Sequence, residues 1–227
     1  MRHVIAASRK GYAGLVSSLE KETGENFVLI EDRTELSVSN LERIAPRYVF
    51  LPHWSYIIPR EIHERFECVI FHMTDLPFGR GGSPLQNLIS RGIYETRLSA
   101  LRCVSELDAG PIYLKRPLSL HGNAEEIFLR SAGLVNEMIA EIVRNSPEPQ
   151  PQEGEVVCFA RRRPEQSDIA DLTDLRQVFD YIRMVDAEGY PRAFIEVGGL
   201  RLEFSRASLR GDAIHADVRI CERKSNE

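Results

Sequence analysis

An α/β fold with a mostly parallel sheet, followed by a small α+β appendage, is predicted by three features of this 227-residue chain. Up to about Phe71, short apolar runs alternate with helix-like segments, the rhythm of βαβ units. A proline-rich polar stretch, "SPEPQPQEGE", then interrupts the periodic pattern near residue 150. Beyond it, one amphipathic segment is followed by hairpin-like runs. Residues 1–150 are therefore expected to form the main domain and 151–227 the appendage.

Each element has a local reason. "HVIAAS" reads as the first strand, and "YAGLVSSLEKETG" as a helix whose Gly24 can take the left-handed conformation at its end. "NFVLIE" precedes a second amphipathic stretch, "SVSNLERIAP". "RYVFLP" and "ECVIFH" read as two buried strands separated by "PREIHERF", with Pro59 suited to a helix start. Ser83 and Pro84 can cap and open a short helix that stops near Gly92. "ETRLSALRCV" alternates as a half-buried strand, and "GPIYLKRPLSL" is extended. "NAEEIFLRSAGLVNEMIAEIVRN" has Asn123 as N-cap, acidic Glu125 and Glu126 in its first turn and a long apolar face. After the proline-rich stretch, read as an exposed linker, come a helical "DLRQVFDYIRMVDAEG", a hairpin turning at Gly198 and Gly199, and "AIHADVRI".

Composition narrows the classes. At 43% hydrophobic and 28% charged residues the chain suits an ordinary soluble globular protein. The first apolar run is too brief for a signal sequence or a membrane span, so a cytoplasmic location with no membrane partner is expected. Cys68, Cys103, Cys158 and Cys221 are widely spaced, fit free thiols, and show no metal-ligand pattern. The formal net charge of −5 gives no global basic footprint, so no nucleic-acid partner is expected. Apolar residues on the appendage are candidates for a homodimer interface.

The chemistry-bearing stretch is "FHMTDLPFGRGG". His72 falls at the carboxyl end of the fourth strand, where open α/β sheets place their ligands. Pro77, Gly79, Gly81 and Gly82 permit turns that bring backbone N–H groups and a helix start beside it. The stretch lacks the Gly-Lys-Ser/Thr of a P-loop and the last glycine of a dinucleotide fingerprint. In "ELDAGPI", Asp108 either caps a tight turn or holds the imidazole and stabilises its protonated form. In "LPHWSYIIP", Trp54, Tyr56, Ile57 and Ile58 are either packing residues or one wall of a pocket for a flat heterocycle.

"H-x-T-x-L-P-x-x-R-G-G-S-P" followed by "L-D-x-G-P-I", with His72 and Asp108 36 residues apart, resembles the formyltetrahydrofolate-dependent formyltransferases. The likeness spans most of residues 1–145. It implies a Rossmann-like domain using N10-formyltetrahydrofolate, no metal, and catalytic roles for His72 and Asp108. It further implies that Ser55, Tyr56, Ile57 and Ile58, with Asp108, Ala109 and Gly110, border the pterin. The family's usual asparagine two residues before the histidine is replaced here by Ile70, which cannot donate a hydrogen bond. Asn87, one turn into the short helix, is either its catalytic replacement or a polar surface residue.

Within that family the wording of the histidine segment and the pattern after residue 165 resemble sugar-nucleotide N-formyltransferases of the pseudaminic-acid type. The expected acceptor is therefore the amine of a UDP-4-amino-4,6-dideoxy sugar, with Arg9, Lys10, Arg80 and Gly81 as candidate substrate contacts. Other amine acceptors, such as an aminoacyl group or glycinamide ribonucleotide, are the alternatives. So are hydrolysis of the formyl donor and folate binding without turnover.

Overall fold

The computed structural model describes residues 1–8 and 13–223. A six-stranded sheet dominates, in the order β2-β1-β3-β4-β6-β7. Its strands are β1 (Arg2–Ala6), β2 (Asn26–Ile30), β3 (Tyr48–Leu51), β4 (Cys68–His72), β6 (Glu95–Arg102) and β7 (Ile112–Ser119). The first four are parallel neighbours, and β6 runs antiparallel to β4. All four residues of β3 and the last four of β1 are buried, as expected of central strands covered on both faces. The chain leaves β1 toward β2 on one side and returns to β3 on the other, so strand order reverses beside β1. That reversal opens a crevice at the strand carboxyl ends.

The helices follow the periodic segments. They are α1 (Ala13–Thr23), α2 (Val38–Ile44), α3 (Arg60–His63), α4 (Pro84–Ile89), α5 (Ala124–Asn145) and α6 (Leu175–Arg183). Asn123 and Glu126 form a reciprocal cap at the start of α5: Glu126 N–H donates to Asn123 Oδ1 at 2.9 Å, and Asn123 N–H to Glu126 Oε2 at 2.8 Å. Ser83 behaves differently from expectation. Its backbone is left-handed and its Oγ caps no N–H of α4; it accepts from Arg162 N–H at 3.1 Å.

Two short strands escaped the sequence pattern. β5 (Phe78–Gly81) pairs with β8 (Val157–Phe159) as a two-stranded ribbon. The glycine segment after His72 is thus partly a strand. Near the C-terminus β9 (Ala193–Val197), β10 (Leu200–Arg210) and β11 (Ala213–Glu222) form an antiparallel sheet in the order β11-β10-β9.

The chain divides into two compact units that do not follow the expected boundary near residue 150. One comprises Met1–Gly81, Arg97–Leu118 and Arg130–Cys158; the other comprises Gly82–Thr96, Ser119–Leu129 and Phe159–Glu227. The second draws in earlier segments through a buried ion pair on α6. Arg183, 2% exposed, donates from Nε to Asp180 Oδ1 at 2.6 Å and from Nη1 to the carbonyls of Leu120 and Gly122. Tyr94 donates its hydroxyl to the same carboxylate at 3.0 Å. Replacing Asp180 by Ala would leave a buried guanidinium without its counter-charge, and a loss of about 3–5 kcal/mol in denaturant unfolding is expected. An unchanged midpoint would contradict this.

In the first unit, His3 lies buried among the rings of Phe27, Tyr48 and Phe50, and its Nδ1 has no hydrogen-bond partner. Burial pushes its pKa down from 6.5 to about 4, assisted by the positive charges of the N-terminus and Arg47. The unfolded chain therefore binds a proton between about pH 6.5 and 4 that the folded chain refuses. Stability contributed by neutral His3 should be fully present above pH 6.5 and lost as pH falls toward 4, amounting to about 3 kcal/mol. His3→Phe should flatten this part of the stability–pH curve; an unchanged slope would refute the assignment.

Candidate active site

The alternation of β4 puts Ile70 and His72 on the same face of the sheet. His72 ends that strand opposite Ser99 of β6, whose hydroxyl holds the departing backbone by donating to Thr74 O at 2.8 Å. The chain then doubles back through Asp75–Pro77 into β5. Lys115 ties this bend down by donating to Asp75 Oδ1 and Leu76 O, both at 2.5 Å. The return brings the carbonyl of Gly79 to 2.7 Å from His72 Nε2. A carbonyl can only accept, so this contact assigns the hydrogen to Nε2.

The other ring nitrogen faces Asp108. His72 Nδ1 is 3.6 Å from Asp108 Oδ2, and both side chains are 8% exposed. With Nε2 already protonated, this approach is attractive when Nδ1 also carries a proton. The pair is thus arranged to hold one added proton as an imidazolium beside a carboxylate. Burial keeps water from screening the interaction.

Asp108 sits here because its backbone is forced to. Its φ is +52°, a left-handed conformation uncommon outside glycine, and Asp tolerates it better than most residues. Its carboxylate is also fixed by the N–H of Gly81, which donates to Oδ2 at 2.9 Å. Two residues on, Gly110 packs against the carbonyl of Arg102 so closely that a Cβ would overlap its oxygen. The "L-D-x-G" spacing therefore combines a strained carboxylate with a glycine that lets the turn lie flat on β6.

The charge of Asp108 reaches the neighbouring core. Burial, with a smaller contribution from the nearby Asp108 carboxylate, pushes the Cys103 thiol up to about 11; burial likewise raises Cys68. Both stay protonated and unreactive at neutral pH. Among the described residues, no group of three or more His, Cys, Asp or Glu could hold a metal ion. No helix among them is long and apolar enough to cross a membrane.

The segment after β3 joins the same sheet edge. Ser55 N–H donates to Ser8 Oγ at 3.0 Å, tying the chain after β3 to the chain after β1 beside the crevice. Tyr56 and Ile57 are exposed, Ile58 is half-buried, and Trp54 meets Tyr56 edge-on at 5.5 Å. The Nε1 of Trp54 is buried without a partner. Trp54 packs against the hydrophobic core and Arg33 lies over the Tyr56 ring at 4.6 Å, so Tyr56 and Ile57 are the large apolar side chains this segment exposes.

Some expected members are not assembled. Ile70 packs with Trp54 and Ile58 on the hydrophobic core, so this position offers shape and no donor. Asn87 does not supply the missing amide: its Nδ2 donates to the carbonyls of Gly82, Ser83 and Ala160, at 2.9, 3.1 and 2.9 Å, and its Oδ1 accepts from Arg91. Those bonds make it the lock of the α4 entry. Ala109 shapes the turn, its N–H donating to Glu106 O. Arg80 is directed into the protein fabric, binding Glu106 and Gln152. Arg9 and Lys10 lie outside the described residues. Gln152 was missed because a glutamine in a polar linker carries no periodic or motif signal.

Replacing Gly110 by Ala should force the turn off Arg102 and displace Asp108. A loss of about 1–3 kcal/mol is expected from overpacking, read by urea unfolding. A variant as stable as the parent would show that the close approach is not maintained.

Comparison with known proteins bears on this geometry. Residues 164–221 match the family described as "Methionyl-tRNA formyltransferase, C-terminal domain". The solved structure "Methionyl-tRNA formyltransferase from Clostridium thermocellum" is 50% identical, with TM-score 0.94, covering 98% of this chain and 100% of that one. A curated methionyl-tRNA formyltransferase of Pelobacter propionicus is 27% identical over 190 residues, covering 80% of this chain and 59% of its own length. The chain spans about half the length of the first curated relatives it matches. A sugar N-formyltransferase from Shewanella shares the fold at TM-score 0.72 but only 14% identity. These matches overturn two expectations, that the acceptor is a nucleotide-linked amino sugar and that no nucleic acid is a partner. Nucleic acid had been excluded on net charge, when phosphate contacts depend on local cations, and the sugar acceptor had rested on the likeness of short segments. The chain, with its histidine–aspartate pair at the strand ends of a Rossmann-like sheet, belongs to the formyltransferase family that includes the Clostridium thermocellum enzyme.

Proposed function

We propose that this protein transfers the formyl group of N10-formyltetrahydrofolate to the amino group of methionyl-tRNA. The observation that carries the reading is the 50% identity over the whole of the methionyl-tRNA formyltransferase from Clostridium thermocellum. The aminoacyl acceptor was among the alternatives the sequence left open. Tyr56, Ile57, Ile58 and Trp54 on one side, and the Asp108–Gly110 turn on the other, would hold the formyl donor, which supplies the activated one-carbon unit.

The protein's part is proton management and positioning. An attacking amine becomes positively charged as it bonds to the formyl carbon and must lose a proton, while the departing nitrogen of the donor must gain one. His72, fixed through Nε2 to Gly79 O, offers Nδ1 for that proton directly or through one water. Asp108 stabilises the resulting imidazolium without leaving its turn. Arg161 and Arg163, exposed cations in the unit containing the C-terminal sheet, are candidate phosphate contacts for tRNA.

The test is a mass-spectrometric assay with N10-formyltetrahydrofolate and, separately, methionyl-tRNA, UDP-linked 4-amino sugar, glycinamide ribonucleotide or no acceptor. Formylmethionyl-tRNA should be the product, and His72→Asn should lower its rate about 10²–10⁴-fold while sparing folate binding. Formate release without an acceptor requirement, or formylation of another acceptor with methionyl-tRNA inert, would overturn the reading.

A further inference from the structure

The proline-rich stretch read as a linker returns to the site as a strap. The backbone of Gln150 pairs with Ile112 in both directions: Ile112 N–H donates to Gln150 O at 2.7 Å, and Gln150 N–H to Ile112 O at 2.8 Å. This bridge lies just past the Asp108 turn and carries Gln152 back over it. The carboxamide of Gln152 is then fully used. Its Nε2 donates to Asp108 O at 2.7 Å and to Gly110 O at 2.8 Å. Its Oε1 accepts from Arg80 Nε at 3.1 Å and Nη2 at 2.9 Å.

These four bonds match the two donors and two acceptor sites of an amide. They grip both ends of the strained turn and, through Arg80, the strand that carries Gly79 and Gly81. Those two glycines are the residues whose backbone touches His72 and Asp108. The Glu106 carboxylate completes the ring by accepting from Arg80 Nη1 at 3.1 Å. A left-handed aspartate persists only when its surroundings over-determine it, and this clamp supplies part of that determination.

We propose that Gln152 is a positioning residue for formyl transfer, holding the Asp108 turn and the Gly79–Gly81 strand in register so that His72 and Asp108 stay paired. It touches neither substrate nor reacting atoms. The inference rests on the reading that His72 and Asp108 manage the proton.

Steady-state formylation of methionyl-tRNA tests it, with kcat normalised to folate-binding sites so that misfolded protein does not count. Gln152→Met keeps size and removes every polar contact. Gln152→Glu keeps an acceptor for Arg80 and loses both donors. Each should lower kcat about 10–100-fold, the cost of misplacing a reacting group by about an ångström, with KM for donor and acceptor unchanged. Gln152→Asn, the same amide one methylene shorter, should also lose kcat and serves if either of the others fails to fold. Wild-type kcat in any folded variant, or a loss confined to KM, would overturn the proposal. Asp108→Asn, run alongside, separates the two readings: if it is fully active, the role of Asp108 fails and this proposal with it. If it is inactive while Gln152 variants are normal, only the clamp fails.

Discussion

The structure around the site depends on one constraint: the imidazole of His72 is held at both nitrogens, by a backbone carbonyl on one side and a buried carboxylate on the other. Neither partner lies where an unconstrained chain would put it. The Gly79 carbonyl arrives because the segment after β4 reverses and becomes a strand, and the Asp108 carboxylate because its turn adopts a left-handed backbone. The free energy of packing the parallel sheet and its covering helices sustains this local strain.

From that constraint follows the proton handling proposed for the site. A ring with one nitrogen bound to a carbonyl and the other facing a carboxylate has a single way to gain charge, which is to take a proton at Nδ1. Acyl transfer to an amine needs such a group because positive charge develops on the nucleophile as the new bond forms. The neighbouring cysteines, pushed up by burial, do not compete for that role.

Much of this was legible in the sequence because it lives in periodic or motif-bearing segments. The βαβ rhythm placed His72 at a strand end, and the spacing of "L-D-x-G-P-I" marked the turn. What escaped is physically of a different kind. β5 and β8 pair a glycine-rich segment, Phe78–Gly81, with a three-residue apolar run, Val157–Phe159, and both are too short to carry a two-residue alternation of burial. Asn87 looked available as a donor because a sequence does not show which carbonyls surround an amide. Gln152 acts through a long-range side-chain contact from a stretch whose composition reads as linker. The acceptor was misjudged because it was read from the likeness of short segments, and nucleic acid was excluded because net charge is a sum over the whole surface, whereas nucleic-acid binding depends on where a few cations lie.

The most direct test of the central claim is nitrogen NMR of the His72 imidazole in the folded protein, assigned by loss of its signals in His72→Asn. The account predicts a neutral ring that carries its hydrogen on Nε2, protected by the bond to Gly79 O, with Nδ1 bare and facing Asp108. A neutral ring that carries its hydrogen on Nδ1 instead would contradict it.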